Sequence, residues 1–256
     1  MDRQELLGRF DMTGRVVIVT GGSRGIGRAV VDGLAAMGAR VVVASRKPEA
    51  CERAAAEVTA AGGTALAVPT HVGDLDQVAA LVEATVAAYG AVDVVVNNAA
   101  NPLAQPIGSI TPEAWNKSFD ANLRGPVFLV QRALPYLRAS EHAAVVNVIS
   151  AGAFTSGAFV SMYVAGKSAL LAMTRSMAAE LAGDGIRVNA LAPGTVDTDM
   201  VRSNPEPVQQ VMVGAQLIAR MAQPAEMVPA TLFLASDASS FMTGQVLVVD
   251  GGMTVH

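Results

Sequence analysis

The sequence predicts an α/β protein, built as a single-domain Rossmann-type doubly wound parallel sheet of about seven strands with helices on both faces. Short apolar runs rich in β-branched residues recur along the 256 residues, as expected for strands buried on both faces. Segments of helical periodicity separate these runs, and a glycine-rich turn joins the first strand to the first helix. Strands that alternate with helices form βαβ units, which give a parallel sheet.

The first strand, turn and helix predict a nucleotide site. Residues 16–19 are four β-branched apolar residues, and the glycines that follow have the pattern Gly21-x-x-x-Gly25-x-Gly27. A helix that starts at Gly25 places free N–H groups and the positive end of its dipole at this turn, which favours a pyrophosphate. The alternative is a structural turn with no ligand, because glycines also serve ordinary turns.

The remaining elements follow in alternation along one domain that spans residues 1–256. The further predicted strands are 41–44, 65–68, 92–96, 144–149, 186–191 and 246–249. The further predicted helices are 48–61, 74–89, 111 to about 138 with an interruption near 125–126, 162–181, and one from 224 onward. Pro229 would lie inside the last helix and is expected to kink it. Apolar residues among the prolines of 195–223 predict a flexible lid and an apolar substrate.

Composition excludes several classes of protein. Hydrophobic residues make up 52% of the chain and charged residues 16%, which is enough apolar material for a large core. The net charge is −4 with no basic cluster, so nucleic acid is not an expected partner. Cys51 is the only cysteine and the histidines are His71, His142 and His256. This scattered set predicts no disulfide and no metal site.

The chain is expected to be a soluble, cytoplasmic protein that does not bind membranes. Residues 1–11 carry mixed charges and no apolar core typical of a signal peptide. Residues 143–166 are uncharged and long enough to cross a bilayer. They contain asparagine, serines, threonine and glycines, so we interpret them as a buried strand, a loop and the start of a helix.

Tyr163 and Lys167 are the strongest candidates for chemistry. They are four residues apart on a predicted helix and therefore share one face. A nearby cation favours the phenolate, so this pair is typical of an acid–base tyrosine with a pKa below its usual value of about 10. Ser150 stands thirteen residues before Tyr163, just past the fifth strand, where a parallel sheet presents ligand-facing side chains. The alternative is an ordinary exposed pair.

These motifs together resemble the short-chain dehydrogenase/reductase family. The resemblance runs from about Thr13 to Gly252, with the motifs in the family's order and spacing. The matching motifs are Thr20-Gly21-(x3)-Gly25-Ile26-Gly27, Asn97-Asn98-Ala99, Asn122, Ser150, Tyr163-(x3)-Lys167 and Pro193-Gly194. The resemblance most favours the carbonyl and retinal reductase branch and the 3-oxoacyl reductases.

The resemblance implies a role for each of four catalytic residues. Tyr163 would exchange a proton with the carbonyl or hydroxyl oxygen of the substrate, and Ser150 would hydrogen-bond that oxygen. Lys167 would hold the nicotinamide ribose and lower the pKa of Tyr163. Asn122 would order a water that connects to Lys167.

The sequence offers a physical reason for the role of Asn122. In an α-helix its carbonyl would accept from the N–H of residue 126, but Pro126 has none. The Asn122 carbonyl would then be free to hold a water, if the helix runs through this point. A simple kink between two helices is an equal alternative.

The resemblance also implies a set of cofactor-binding residues. They are Gly21, Ser23, Arg24, Gly25, Ile26, Gly27, Ser45, Arg46, His71, Val72, Asn98, Tyr163, Lys167, Pro193, Gly194, Val196 and Thr198. Two positions depart from the family pattern. Ala100 replaces the glycine of Asn-Asn-Ala-Gly, and His71 replaces the aspartate that usually lies over the adenine.

Residues after the second strand favour NADP(H), with NAD(H) as the alternative. An acidic residue at this position would bind the ribose 2′-hydroxyl of NAD, and Ser45 occupies it. Arg24 and Arg46 could pair with the 2′-phosphate of NADP. The alternative is two solvated arginines.

The sequence therefore predicts an NADP(H)-dependent oxidoreductase. Hydride transfer would interconvert a secondary alcohol and a ketone or aldehyde, and the resemblance implies a homotetramer. Within the family, an NAD(H)-dependent alcohol dehydrogenase or a 3-oxoacyl thioester reductase remains open. Outside it, the alternatives are a non-catalytic dinucleotide sensor and a Rossmann-like methyltransferase, neither of which needs Tyr163 and Lys167.

Overall fold

The seven predicted strands form one parallel sheet, which confirms the fold class. The computed structural model describes residues 1–155 and 157–255, so Ser156 and His256 lie outside the described residues. The order across the sheet is β3-β2-β1-β4-β5-β6-β7. The strands are β1 (Val16–Thr20), β2 (Arg40–Ser45), β3 (Thr64–Pro69), β4 (Val94–Asn97), β5 (Ala144–Val148), β6 (Arg187–Pro193) and β7 (Val246–Val249).

Helices connect the strands and cover the sheet. They are α1 (Arg3–Gly8), α2 (Gly25–Ala36), α3 (Pro48–Ala60), α4 (Leu75–Tyr89), α5 (Pro112–Phe119), α6 (Gly125–Ala139), α7 (Ser161–Leu181), α8 (Asp199–Arg202), α9 (Glu206–Gly214) and α10 (Val228–Ala235). Helix α1 was not predicted from the sequence; it buries no residue and begins with a capping box between Asp2 and Glu5. None of the described helices is long and apolar enough to cross a membrane.

The core lies on both faces of the sheet because successive strand residues point to opposite sides. Val17 and Val19 of β1 join one cluster with Leu34 of α2. Ile18, between them, joins the other cluster with Leu81 of α4. All of these side chains are fully buried, so the central strand is fixed from both sides.

Thr20 ties the central strand to its neighbour at the point where the strand order reverses. β1 lies between β2 and β4, and such a switch point opens a crevice at the carboxyl ends of the strands. The buried Thr20 hydroxyl accepts from the N–H groups of Asn98 and Ala99, both at 3.0 Å, and donates to the Val96 carbonyl at 3.3 Å. It thereby holds the loop after β4 against the glycine turn.

The predicted interruption of the long helix is confirmed, and it takes the form of one widened helical turn. Asp120–Arg124 lies between α5 and α6 as a π-helical turn, and the Gly125 N–H donates to the Asp120 carbonyl five residues earlier. Pro126 has no N–H to complete an ordinary α-helical bond to Asn122. A widened turn of this kind is frequent at functional sites.

The predicted kink at Pro229 is wrong. A 3₁₀ turn spans Pro224–Met227, and α10 starts only at Val228, so that Pro229 occupies its second position. Proline is tolerated in the first turn of a helix because its missing N–H would have no partner within the helix. The start of α10 therefore needs no kink.

Candidate active site

A cleft of about 500 Å³ opens at the carboxyl ends of the strands. Its volume is within the range of small-molecule and cofactor sites. All the predicted site residues line it except Ser23 and Asn122. Those in the lining are Gly21, Arg24, Gly25, Ile26, Gly27, Ser45, Arg46, His71, Val72, Asn98, Ser150, Tyr163, Lys167, Pro193, Gly194, Val196 and Thr198.

The glycine turn presents an uncapped helix N-terminus to this cleft. Gly25 has a φ of +55°, a left-handed conformation that favours glycine. An ideal Cβ on Gly27 would lie 2.3 Å from the Gly21 carbonyl oxygen, so only glycine allows this close packing. No side chain of the described residues caps α2 at Arg24. The first N–H groups of α2 are left for an anion.

The charges around the cleft also suit an anionic cofactor. Arg24, Arg46, Lys117 and Lys167 line it, against one acidic residue, Asp199, in a chain whose net charge is −4. An uncapped helix N-terminus with basic side chains around it is the donor set that a dinucleotide pyrophosphate requires. The residues present therefore fit NAD or NADP.

The end of β2 and the loop after β3 provide polar contacts at one side of the cleft. Ser23 lies just behind the lining, where its hydroxyl donates to Ser45 Oγ at 2.9 Å. His71 Nδ1 accepts from the Gly73 N–H at 3.1 Å, so a neutral His71 carries its proton on Nε2. Asn98 Nδ2 donates to the Thr20 carbonyl at 2.8 Å, which makes its side chain part of the turn.

Ser150, Tyr163 and Lys167 lie together at the end of β5. Ser150 follows the strand, and its Oγ accepts from the Gly152 N–H at 3.1 Å. The ammonium of the fully buried Lys167 lies 5.9 Å from the centre of the Tyr163 ring and donates to the Val148 carbonyl at 2.7 Å. The structure thus brings the predicted serine, tyrosine and lysine to one wall of the cleft.

Burial shifts both titrating groups of this wall toward their neutral forms. It lowers the pKa of Lys167 from 10.5 to about 8. Tyr163 keeps some exposure to the cleft, yet burial raises its pKa above 10, and a hydrogen bond with Ser150 opposes that rise. The sequence predicted a lowered pKa for Tyr163. In the structure, removal of the phenolate from water outweighs other effects, and Lys167 is directed to the Val148 carbonyl.

The family of the chain follows from comparison with known proteins. A family model described as enoyl-(acyl carrier protein) reductase matches residues 21–254. The cis-4-hydroxycyclohexanecarboxylate dehydrogenase of Sinomonas cyclohexanicum is 41% identical over 242 residues, which cover 94% of this chain and 96% of that protein. The chain belongs to the short-chain dehydrogenase/reductase family. The resemblance on which the sequence analysis depended is confirmed, and the chain is an NAD(P)-dependent oxidoreductase of this family.

Two further relatives show the range of activities and the shared fold. The 2,5-dichloro-2,5-cyclohexadiene-1,4-diol dehydrogenase of Sphingobium indicum is 38% identical and covers 95% of this chain and 98% of its own. A crystal structure of a 3-oxoacyl (acyl-carrier-protein) reductase from Agrobacterium tumefaciens, with NADP bound, superimposes with a TM-score of 0.90. It is 34% identical and covers 98% of this chain and 100% of its own.

Asn122 lies behind the cleft of this short-chain dehydrogenase/reductase, and its side chain clamps the loop after β4. Asn122 Oδ1 accepts from the Asn101 N–H at 3.0 Å, and its Nδ2 donates to the Asn101 carbonyl at 2.8 Å and to Ser118 Oγ at 3.2 Å. Gly166 lets α7 approach, since an ideal Cβ there would lie 3.0 Å from Asn122 Cβ. The water that the family resemblance implies for Asn122 stays a prediction.

Sequence reasoning missed a series of buried polar side chains beneath the site, which are joined by hydrogen bonds. Asn97 and Asn147 are partners in the β4–β5 register, and Asn97 Nδ2 donates to Asn147 Oδ1 at 2.9 Å. Asn147 Nδ2 then donates to Thr174 Oγ1 of α7 at 2.9 Å. An asparagine near the end of each of two neighbouring apolar strands is the sequence signal that could have found it. These two hydrogen bonds join the ends of β4 and β5 to α7, the helix that carries Tyr163.

Proposed function

We propose that this chain is an NADP(H)-dependent oxidoreductase that interconverts a secondary alcohol and a ketone or aldehyde. One observation carries the proposal: Ser150, Tyr163 and Lys167 share a cleft with the uncapped N-terminus of α2. When bound, the nicotinamide would supply the hydride chemistry. The protein has to bind and orient both reactants and supply a proton.

Each residue of the catalytic wall has a distinct task in this proposal. Tyr163, whose raised pKa keeps it protonated at neutral pH, donates its proton to the carbonyl oxygen during reduction and recovers it during oxidation. The Ser150 hydroxyl donates a hydrogen bond to the same oxygen. Lys167, with a pKa of about 8, is mostly charged at neutral pH and favours the phenolate as the proton leaves.

The preference for NADP(H) rests on the residues around Ser45. A neutral serine holds the place of the carboxylate that would bind the NAD ribose, and Arg24 and Arg46 line the same cleft. A charge-assisted arginine–phosphate contact is worth about 1.5–3 kcal/mol, which is roughly tenfold or more in affinity. The relative with NADP bound supports this choice.

The substrate we favour is a secondary alcohol on an apolar ring. Two relatives are named for hydroxyl groups on six-membered rings. Met200 and Val201 of α8 line the cleft, and they give the lid around 195–223 an apolar surface toward the substrate. A 3-oxoacyl thioester is the second candidate, since the NADP-bound relative is such a reductase.

A panel of carbonyl compounds tests this proposal. Cyclic ketones, open-chain ketones, aldehydes and 3-oxoacyl thioesters are each supplied with NADPH or NADH, and cofactor oxidation is followed by absorbance. We expect the highest kcat/KM with cyclic ketones, and a preference for NADPH of about tenfold or more. Equal or better kcat/KM with NADH would refute the cofactor choice. NADPH binding without turnover of any compound would favour the dinucleotide sensor.

Assembly and location remain proposals that rest on the family. We infer a homotetramer in which the long helices and β7 form the contacts, as the resemblance implies. Phe241, just before β7, and Val248, within β7, are exposed apolar side chains, which supports a contact at this edge. Light scattering should give the mass of a tetramer, and a monomer at micromolar concentration would contradict it. The proposed cytoplasmic location is tested by cell fractionation.

A further inference from the structure

An ion pair joins the cofactor side of the cleft to the first helix of the lid segment. Arg24 Nη1 donates to Asp199 Oδ2 at 3.2 Å, and both side chains are 70% exposed. Among the described residues that line the cleft, Asp199 carries the only carboxylate. Its partner Arg24 is one of the two arginines that the proposed function assigns to the 2′-phosphate.

The backbone places this pair between the glycine turn and the start of α8. Arg24 immediately precedes α2, and Asp199 is the first residue of α8. Thr198 packs against the glycine turn so closely that an ideal Cβ on Gly25 would lie 3.1 Å from its Cγ2. The carboxylate of Asp199 is therefore held beside the phosphate-binding turn.

Arg24 is held less firmly by ion pairs than Arg28, the next arginine of α2. Arg28, one turn further along α2, pairs with both Asp32 and Glu57 and is held by two carboxylates. Arg24 has one exposed carboxylate partner, and exposed pairs of this kind are weak because water screens them. A stronger anion can therefore take Arg24 from Asp199.

We propose that Asp199 limits the preference for NADP(H) by competing with the 2′-phosphate of the cofactor for Arg24. This inference rests on the proposed NADP(H)-dependent function. To make a bidentate contact with the phosphate, the Arg24 guanidinium must turn donors away from Asp199. The carboxylate also repels the incoming phosphate. Both effects weaken binding of the phosphorylated cofactor and affect NAD(H) less, because it lacks the 2′-phosphate.

Asp197 supplies a matched control for the same charge change. It lies two residues before Asp199 in the same segment and pairs with Arg202 rather than with Arg24. It does not belong to the cleft lining. Asp197→Asn therefore removes one negative charge from the segment without freeing Arg24.

The test measures binding of two fragments that need no turnover, 2′,5′-ADP and 5′-AMP. Isothermal titration gives dissociation constants for the parent, Asp199→Asn, Asp197→Asn, Arg24→Gln and the double variant Arg24→Gln with Asp199→Asn. We expect Asp199→Asn to tighten 2′,5′-ADP by about two- to fivefold, the range of an exposed ion pair, and to leave 5′-AMP unchanged. Asp197→Asn should change neither constant. In the Arg24→Gln background, Asp199→Asn should tighten 2′,5′-ADP less, because only the direct repulsion between Asp199 and the phosphate is then removed.

Three results would overturn the inference. They are unchanged or weaker 2′,5′-ADP binding in Asp199→Asn, equal tightening of 5′-AMP, and the full effect persisting without Arg24. Failure of the proposed function is measured by a different assay, the turnover of cofactor and carbonyl compound. A parent that oxidises NADH faster than NADPH, or reduces no carbonyl compound, fails the proposed function while the fragment constants still decide the role of Asp199.

Discussion

Replacing Thr20 with valine should test how strongly its hydroxyl holds the cleft together. Valine has nearly the same shape but offers no acceptor to the N–H groups of Asn98 and Ala99 and no donor to Val96. In the parent, both N–H groups donate to Thr20 Oγ1 at 3.0 Å, and Thr20 is buried. The variant would leave the Ala99 N–H without this partner where β1 and β4 end. The Asn98 N–H and the Val96 carbonyl would keep only the bond that joins them to each other at 3.1 Å.

The expected loss of stability follows from these three bonds. An unpaired buried polar group costs about 1–3 kcal/mol. Asn98 and Ala99 are only partly buried, so water can reach them and the lower end of that range applies. We expect the free energy of unfolding to fall by about 1.5–3 kcal/mol, with Tm lower by roughly 2–4 °C for each kcal/mol. Urea denaturation at fixed protein concentration measures the change.

Thr20→Ser is the matched control because it keeps the hydroxyl and loses only a methyl group. Its free energy of unfolding should be about 1 kcal/mol below that of the parent, and it should bind NADPH as tightly as the parent does. Thr20→Val should also bind NADPH more weakly, because the loop that carries Asn98 is released. A Thr20→Val protein within about 0.5 kcal/mol of the parent, a change typical of surface substitutions, would refute the reasoning.

Three further outcomes are expected. Lys167 has a pKa of about 8 in the folded chain and 10.5 as its ordinary value, so between these values the unfolded state binds more protons. The free energy of unfolding of the parent should therefore rise with pH across this interval relative to Lys167→Met, and a constant difference would count against the burial of a charged lysine. Ser150→Ala should lower kcat by about tenfold or more with an unchanged Kd for NADPH, and an equal loss in both would assign Ser150 to binding instead. Limited proteolysis should show that cofactor and substrate protect 195–223, and unchanged cleavage there would contradict a closing lid.

The sequence predicted the elements of the fold because their signals are local. Short apolar runs, most of them rich in β-branched residues, indicated all seven strands. Gly125-Pro126 indicated an interruption of the long helix, which is found as the widened turn Asp120–Arg124 between α5 and α6. The boundaries moved by a few residues, as at β4, which was predicted at 92–96 and is found at Val94–Asn97. Pro229 was misplaced because the sequence does not show that a 3₁₀ turn precedes α10.

Contacts between distant segments could not be predicted in the same way. Asn122 was expected to act through its carbonyl, and the structure shows its side chain bound to the backbone of Asn101, twenty-one residues earlier. Arg24 and Asp199 are 175 residues apart, so only the fold shows that they meet. The pKa of Tyr163 is raised because the side chain is buried. The four-residue spacing between Tyr163 and Lys167 does not predict that burial.

The measurement that tests the central claim most directly is turnover by Tyr163→Phe, with NADPH binding measured in parallel. Phenylalanine keeps the ring and removes the proton that Tyr163 would transfer. We expect kcat with a good carbonyl substrate to fall by about 10²-fold or more, which is roughly 2.7 kcal/mol, while the Kd for NADPH stays close to that of the parent. Turnover near the parent level would remove Tyr163 from the reaction and contradict the proposed function.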